Sequence, residues 1–349
     1  MFEPWLAVNL SMFFPGIGQL YAGKTLKGIA FAASQLALIA IAIWSIFSPT
    51  GNTITGLYCL LPISILYIAS LFDAHASVFQ QLNNPQLEKI PRIHKNPWFA
   101  VFLSRVLPGL GHFYLQKPIL GAFFLSLLII VSALKSFSSQ LLIFSPIISA
   151  VSCYHAFISF PKRQKNRQYL KIFLIVSAVL AFQLFGSYLP QVIAQEVEIF
   201  EIPSKSMLPT LQVGDKIFVK KPSNYLPETG DFIVFKAPQA AKDLDSQADK
   251  NKEQFYIKRV IGKPGQAVRI NNGIVYINNQ PLQETYIAES PVYQWGTTVV
   301  PANSYFVLGD NRNNSFDSHV WGFVPKTKIV GQAYKIFLPP QRIQSLLNR

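Results

Sequence analysis

Cysteine is nearly missing from this sequence: Cys59 and Cys153 are the two in 349 residues, and both fall inside long apolar runs. They can build neither a disulfide framework nor a cysteine-rich metal site, so no metal and no cofactor is expected. The second half of the chain has no cysteine and must be held by its own core. Charge is scarce too, at 14% of residues against 50% apolar ones, which points to a membrane protein. Acidic residues are rarest up to Pro190, where Glu3, Asp73 and Glu88 face 13 Lys and Arg; from Gln191 onward the count is 18 basic to 14 acidic. A basic excess among apolar runs reads as loops beside lipid rather than a nucleic-acid surface. No cleavable targeting segment is expected either, because Met1 to Ala7 carries Glu3 without a basic stretch, and Pro15, Gly16 and Gly18 break the apolar run that follows.

What is present in the first half is apolar length. Gly28–Ser48, Ile54–Phe72, Ile119–Leu134, Leu141–Phe160 and Ile172–Leu189 each read as a spanning helix, against the roughly 30 Å of hydrocarbon to be crossed. Basic residues resist translocation and collect on the cytoplasmic side. If the first helix runs outward, 12 of them, from Lys24 to Lys171, fall inside and only Lys135 outside. Five crossings then place everything after Leu189 on the extracytoplasmic side.

An internal repeat runs through this half. Ala7, Ser11, Pro15, Gly16, Gly18, Tyr21, Lys24 and Gly28 recur as Ala100, Ser104, Pro108, Gly109, Gly111, Tyr114, Lys117 and Gly121, at a constant offset of 93. Each copy is a broken apolar segment followed by two spans. It reads either as a pseudo-symmetric pathway lined by broken helices or as Pro-Gly turns at the cytoplasmic face, with Lys24 and Lys117 reaching the headgroups. The second reading is favoured, since a pathway calls for several intramembrane ionisable groups. His75 and His155, near the ends of the second and fourth spans, suggest paired metal or proton chemistry less strongly than ordinary interfacial histidines.

After Gln191 the character changes. Short apolar runs at Lys216–Lys220, Asp231–Phe235, Tyr256–Ile261, Ala267–Ile270, Ile274–Ile277, Tyr305–Leu308 and Ala333–Phe337 alternate with turns rich in Gly, Pro and Asn. The pattern predicts a mostly antiparallel β-domain of sandwich or barrel type. Pro238–Gln254, rich in Lys, Asp, Gln and Ala, reads as a solvated excursion. The fold class is therefore a multi-span α-helical membrane domain followed by an antiparallel β-domain.

Candidate chemistry begins at Ile202-Pro203-Ser204-Lys205-Ser206-Met207-Leu208-Pro209-Thr210-Leu211, where prolines flank two serines in an irregular segment that can fix an exposed hydroxyl. Alone it is equally a capped turn. A serine nucleophile needs a base, and His319 is the one histidine in this half. Lys258, inside the apolar strand Tyr256–Gly262, is the better candidate: burial, helped by Arg259 beside it, can lower a lysine pKa until the amine is neutral. The alternative is a lysine reaching outward from a strand edge. A third cluster, Gly309 to His319, is dense in Asn, Asp and Ser and can hold itself by side-chain to backbone bonds while presenting a hydroxyl to a neighbouring lysine.

Together these segments resemble the boxes of the type I signal peptidase family, in order: P-S-K-S-M-L-P-T-L at 203–211, G-D-F-I-V-F at 230–235, Y-I-K-R-V-I-G-K-P-G at 256–265 and G-D-N-R-N-N-S-F-D-S-H-V-W-G-F-V-P at 309–325. The resemblance covers about the last 180 residues. It implies a serine endopeptidase with Ser206 as nucleophile and Lys258 as general base, acting on preproteins that bear signal peptides. Ser204, with the backbone N–H of Ser206, would stabilise the oxyanion; Ser315 would orient the Lys258 amine; Asp317 would brace the loop. Phe200, Ile202, Leu211, Tyr256 and Ile257 match positions that line pockets for small residues at −1 and −3. Two positions depart from the family, which usually has Asp where Asn313 stands and Arg where His319 stands.

The resemblance also implies a catalytic sheet lying against lipid, contact with the protein translocation machinery, and a bacterial-type cell membrane or a thylakoid membrane as location. Residues 1–165 form the repeated membrane module, 166–190 the anchor and 191–349 the extracytoplasmic domain on this reading. Two rival readings are a transporter or channel carrying an inert peptidase-like domain, and a self-cleaving Ser/Lys protease resembling the repressor peptidases; the membrane half and the last box speak against the second.

Overall fold

Long runs without charge fold as helices, because a helix satisfies its own backbone hydrogen bonds where water is absent. A computed structural model describes residues 3–81, 96–134, 143–160, 166–222, 224–244 and 253–347. The polar stretch before Asn96, Lys135 and the basic cluster from Lys162 to Lys165 lie outside the described residues. The helices of the first half are α1 (Pro4–Ser11), α2 (Ile17–Tyr21), α3 (Thr25–Phe47), α4 (Thr53–Tyr58), α5 (Leu60–Phe79), α6 (Pro97–Val106), α7 (Leu110–Tyr114), α8 (Pro118–Leu134), α9 (Phe144–Ile158) and α10 (Asn166–Glu196). Three stretches, Thr25–Phe47, Thr53–Phe79 and Gln168–Glu196, are long and apolar enough to cross a membrane, and α8 and α9 are shorter apolar helices of 17 and 15 residues. The last span runs past the expected Leu189 to Glu196 with Pro190 inside it.

The chain divides into two compact units, residues 1–42 with 58–191 and residues 43–57 with 192–349. In the first, the repeat is a repeat of structure. Gly16 and Gly109 adopt φ of +101° and +98°, where glycine alone is unstrained, and a Cβ on either would overlap the carbonyl oxygen of Gly28 or Gly121. The copies are sewn together at α1 and α6: Asn9 Nδ2 donates to the Trp98 carbonyl at 3.0 Å, and Arg105 Nη1 to the Asn9 carbonyl at 2.5 Å.

Of His75 and His155, one has a histidine neighbour. His75 stacks on Phe79 and meets Trp5 edge to face, whereas the neighbour of His155 is His112, with ring nitrogens 2.9 Å apart. The sequence separation of 43 hides that contact. Lys117 donates to the Ser159 carbonyl at 2.9 Å, a tie that headgroup contact alone did not suggest.

The second unit is the β-domain. Its strands are β1 (Val197–Glu201), β2 (Lys216–Lys220), β3 (Phe232–Lys236), β4 (Phe255–Gly262), β5 (Ala267–Asn271), β6 (Ile274–Ile277), β7 (Gln280–Pro281), β8 (Trp295–Val299), β9 (Ser304–Leu308), β10 (Val324–Pro325), β11 (Ile329–Leu338) and β12 (Gln344–Ser345). One antiparallel sheet has the order β1-β2-β11-β3-β4-β9-β10 with β12 on β11, and a smaller one the order β7-β6-β5-β8. Each of the seven expected strands has its counterpart; β1, β7, β8, β10 and β12 add to them. Central β3, Phe-Ile-Val-Phe-Lys, is buried on both faces, which is why it reads as an unbroken apolar run. Part of the supposed excursion after Pro238 is a helix, α11 (Gln239–Leu244), with Ala241 packed into the core; residues 245–252 lie outside the described set. A final short helix, α12 (Ser318–Trp321), follows the polar cluster.

Residues 43–57 belong to this unit rather than to a separate module. Buried Lys335 on β11 donates to the carbonyls of Ser45 and Ile46 at 3.0 and 2.7 Å, and Phe47 meets Phe218 with ring centroids 5.5 Å apart. A cation over the last carbonyls of a helix satisfies acceptors that have no intrahelical donor.

Candidate active site

Successive residues of a strand face opposite sides, so β4 sends Lys258 and Arg259 to different faces of the large sheet. Both neighbours of β4, β3 and β9, are paired to it, and this double cover makes the lysine interior rather than an edge residue. Lys258 is 4% exposed. Its Nζ lies 2.7 Å from Ser206 Oγ, in direct hydrogen-bond contact across 52 residues of sequence.

Ser206 sits in the turn that follows β1. The loop after β9 fixes it: Asn311 donates its backbone N–H to the Ser206 carbonyl at 3.1 Å and its side chain to the Lys205 carbonyl at 3.1 Å. Thr210 Oγ1, further along the same turn, donates to Asp310 Oδ2 at 2.5 Å. Ser204 Oγ is 3.2 Å from Ser206 Oγ, in hydrogen-bond contact with it.

Burial pushes the Lys258 amine down to about 8, while the charges of Asp317 and then Asp310 resist the shift. Arg259 is not the expected helper. It makes a bidentate pair with Asp310, Nε to Oδ1 at 2.8 Å and Nη2 to Oδ2 at 2.7 Å, on the other side of the sheet, and both side chains are fully buried. Its positive charge is matched there, so dryness rather than a like charge lowers the lysine.

Gly309 to His319 closes the site. Asp317 is fully buried; its Oδ2 accepts the Gly309 N–H at 2.8 Å, and its Oδ1 accepts the His319 N–H at 3.2 Å and lies 2.7 Å from His319 Nδ1. That places His319 against Asp317 and not against Ser206, so it is not the base of this serine. Gly309 passes so near Ser206 and Ser315 that a Cβ there would overlap the Ser315 hydroxyl and the Ser206 carbonyl. The buried Ser315 Oγ has no hydrogen-bond partner among the described residues, so the expected bond to the Lys258 amine is not made in this structure.

Two cavities flank Ser206. The smaller, about 170 Å³, is walled by Phe200, Ile202, Tyr256 and Ile257, as the resemblance implies, and also by Ile217, Val234 and Phe255. Alternation along β2 and β3 was the available signal for Ile217 and Val234. Leu211 is the exception among the expected lining residues, being fully buried in the core beneath, beside Met207. The larger cavity, about 660 Å³, is polar and brings Ser204, Lys205, Ser206, Lys258 and residues 313–316 together with Leu244 of α11 and Tyr256. Ser318 Oγ, unmarked in the sequence, accepts the Val307 N–H at 2.9 Å and ties α12 to β9. No group of three or more His, Cys, Asp or Glu that could hold a metal occurs among the described residues.

Comparison with known proteins places this arrangement in context. Residues 167–338 match the family described as signal peptidase, peptidase S26. The chain is similar to signal peptidase I of Leptolyngbya laminosa, 50% identical over 147 residues that span 42% of this chain and 70% of that protein. It is also similar to thylakoidal processing peptidase 1 of Arabidopsis thaliana, 36% identical over 148 residues, 42% of this chain and 43% of that one. A crystal structure of a signal peptidase I from Enterococcus faecalis V583 aligns at 31% identity over 32% of this chain and 98% of that chain, with a TM-score of 0.26.

Proposed function

This chain belongs to the signal peptidase family, peptidase S26, and is a serine endopeptidase that cleaves signal peptides; we propose that Ser206 is its nucleophile and Lys258 its general base. The observation that carries the assignment is the 2.7 Å contact between the buried Lys258 Nζ and Ser206 Oγ. Neutral Lys258 takes the hydroxyl proton as Oγ attacks the scissile carbonyl. The Ser204 hydroxyl and the Ser206 N–H stabilise the oxyanion, and the protonated amine then hands its proton to the departing α-amino group. Water, activated by the same lysine, releases the signal peptide from the acyl-enzyme.

The small apolar cavity walled by Phe200, Ile202, Tyr256 and Ile257 accepts the side chains at −1 and −3. Its volume of about 170 Å³ fits alanines and excludes large rings. A preprotein with Ala at −1 and −3 is therefore expected to be cleaved, and the same preprotein with Phe at −1 to lose kcat/KM by at least about a hundredfold. Equal cleavage of both, followed by mass spectrometry of the new N-terminus, would remove this cavity from the substrate site.

The apolar helices present exposed Leu26, Phe72, Ile119 and Phe173, which supports contact with lipid. Residues 191–349 face the extracytoplasmic side on this reading, and the protein translocation machinery is the further partner, because the substrate has just crossed the membrane. Support comes from the basic residues that a five-span count gathers inside. A tag after Arg349 is expected to react with an impermeant reagent from the extracytoplasmic side only, and one between Lys162 and Gln168 from the cytoplasm only. The opposite pattern overturns the orientation.

A further inference from the structure

The connection from β7 to β8 has no role in the chemistry described above, yet it follows the catalytic loop 309–319 closely. Contacts recur about every second residue. Glu284 makes a bidentate ion pair with buried Arg312 at 2.5 and 2.6 Å. The Tyr286 ring lies 3.6 Å from the Arg259 guanidinium. The Ala288 N–H donates to the Asp310 carbonyl at 3.1 Å. Asn313 donates Nδ2 to the Ser290 carbonyl at 3.0 Å and accepts the Val292 N–H on Oδ1 at 2.8 Å. Last, the Tyr293 ring stacks on His319, centroids 3.8 Å apart and planes 12° from parallel.

Asn313 and His319 both touch this one segment. The chemistry of each fits the contact it makes. A carboxylate at 313 could accept from Val292 but has no donor for the Ser290 carbonyl, whereas an amide supplies both. An imidazole at 319 is flat enough to stack on Tyr293 while its Nδ1 stays on Asp317. Ser315 lies between these fastenings, with Asn313 held on one side and Asp317 on the other, and it lines the cavity that holds Lys258.

We propose that residues 284–293 are a strap that positions Ser315 and keeps water from Lys258, and that Asn313 and His319 are its fastenings. The inference rests on Lys258 being the base and deepens that assignment. The charges facing Lys258 are Asp317 and Asp310, with Lys205 in the same cavity; none of them belongs to the strap, so loosening it acts through water and geometry. A rehydrated lysine regains its proton affinity, so the acid limb of kcat/KM moves to higher pH.

The test uses the full-length protein and measures kcat, KM and the pH profile for Asn313→Ala, Tyr293→Ala, the double variant, Tyr293→Phe and Ser315→Ala. Asn313→Ala and Tyr293→Ala are each expected to lower kcat about ten- to a hundredfold with KM within about twofold, and to raise the acid limb. The double variant should lose little more than the worse single one, because both release the same strap. Tyr293→Phe should restore wild-type kcat, since the Tyr293 hydroxyl has no partner among the described residues and the ring makes the contact. Unchanged kcat and pH profile in both Ala variants overturn the strap, as does a loss that Tyr293→Phe fails to restore. Strap variants that lose kcat while Ser315→Ala does not would overturn Ser315 as its target. Failure of the dyad itself is separate, because it would leave wild-type cleavage independent of Lys258.

Discussion

Ser206→Ala and Lys258→Ala are each expected to abolish preprotein cleavage, a loss of at least about 10³-fold in kcat/KM, in protein that remains folded and inserted. The two act as a unit, so the double variant should be no worse than either single one. The wild-type profile should show an acid limb near the Lys258 value of about 8, with kcat/KM falling about tenfold per pH unit below it as the base becomes protonated. Stability supplies a second readout with a definite sign. Because burial depresses the lysine from 10.5 to about 8, the unfolded chain holds the proton more tightly across that window, and this group's contribution to stability rises as pH rises from 8 to 10.5. At pH 7 the folded protein carries a buried charge, so Lys258→Met should melt at or above the wild-type temperature while being inactive. A Lys258→Ala protein that still cleaves at a comparable rate would remove the lysine from the mechanism.

The pairing of Ser206 with Lys258 was legible because its signals are local in type: a serine between prolines and a lysine in an apolar strand are each unusual, and four ordered boxes make them specific. The strands were legible for a similar reason, since alternation and turn residues are written within five to ten positions. What could not be read depends on tertiary contact. Nothing beside Lys335 announces that its amine ends on the carbonyls of Ser45 and Ile46, 290 and 289 residues away, or that residues 43–57 therefore join the β-domain. The contact of His112 with His155 could not be read either, because spacing along a helix says nothing about which helix lies opposite. Leu211 matched a pocket position in the family pattern but faces the core, where one step of rotation in a turn decides between wall and interior.

Arg259 is the instructive case, because its neighbour in sequence is Lys258, the proposed base, and its partner in space is Asp310. Arg259→Met is expected to cost about 3–5 kcal/mol of stability, since it leaves the Asp310 carboxylate buried without its counter-charge. The guanidinium also lies between the rings of Phe232 and Tyr286, at 4.2 and 3.6 Å, which a thioether cannot reproduce electrostatically. Asp310→Leu strands the guanidinium in the same way and also releases Thr210, whose hydroxyl bond to Asp310 fixes the turn carrying Ser206. The double variant Arg259→Met with Asp310→Leu should recover most of the stability, because a buried ion pair replaced by apolar groups of similar volume is often close to neutral. It should not recover all of the activity, since Thr210 stays unfastened. In the Asp310→Leu single variant the acid limb should lie below that of the wild type, because the Asp310 charge that resists the lowering of Lys258 is gone. Urea denaturation of the three variants measures the first effect and kcat/KM against pH the second. Single variants as stable as the wild type would mean that water reaches the pair, and a double variant no more stable than the singles would mean that the pair is worth more than its apolar replacement.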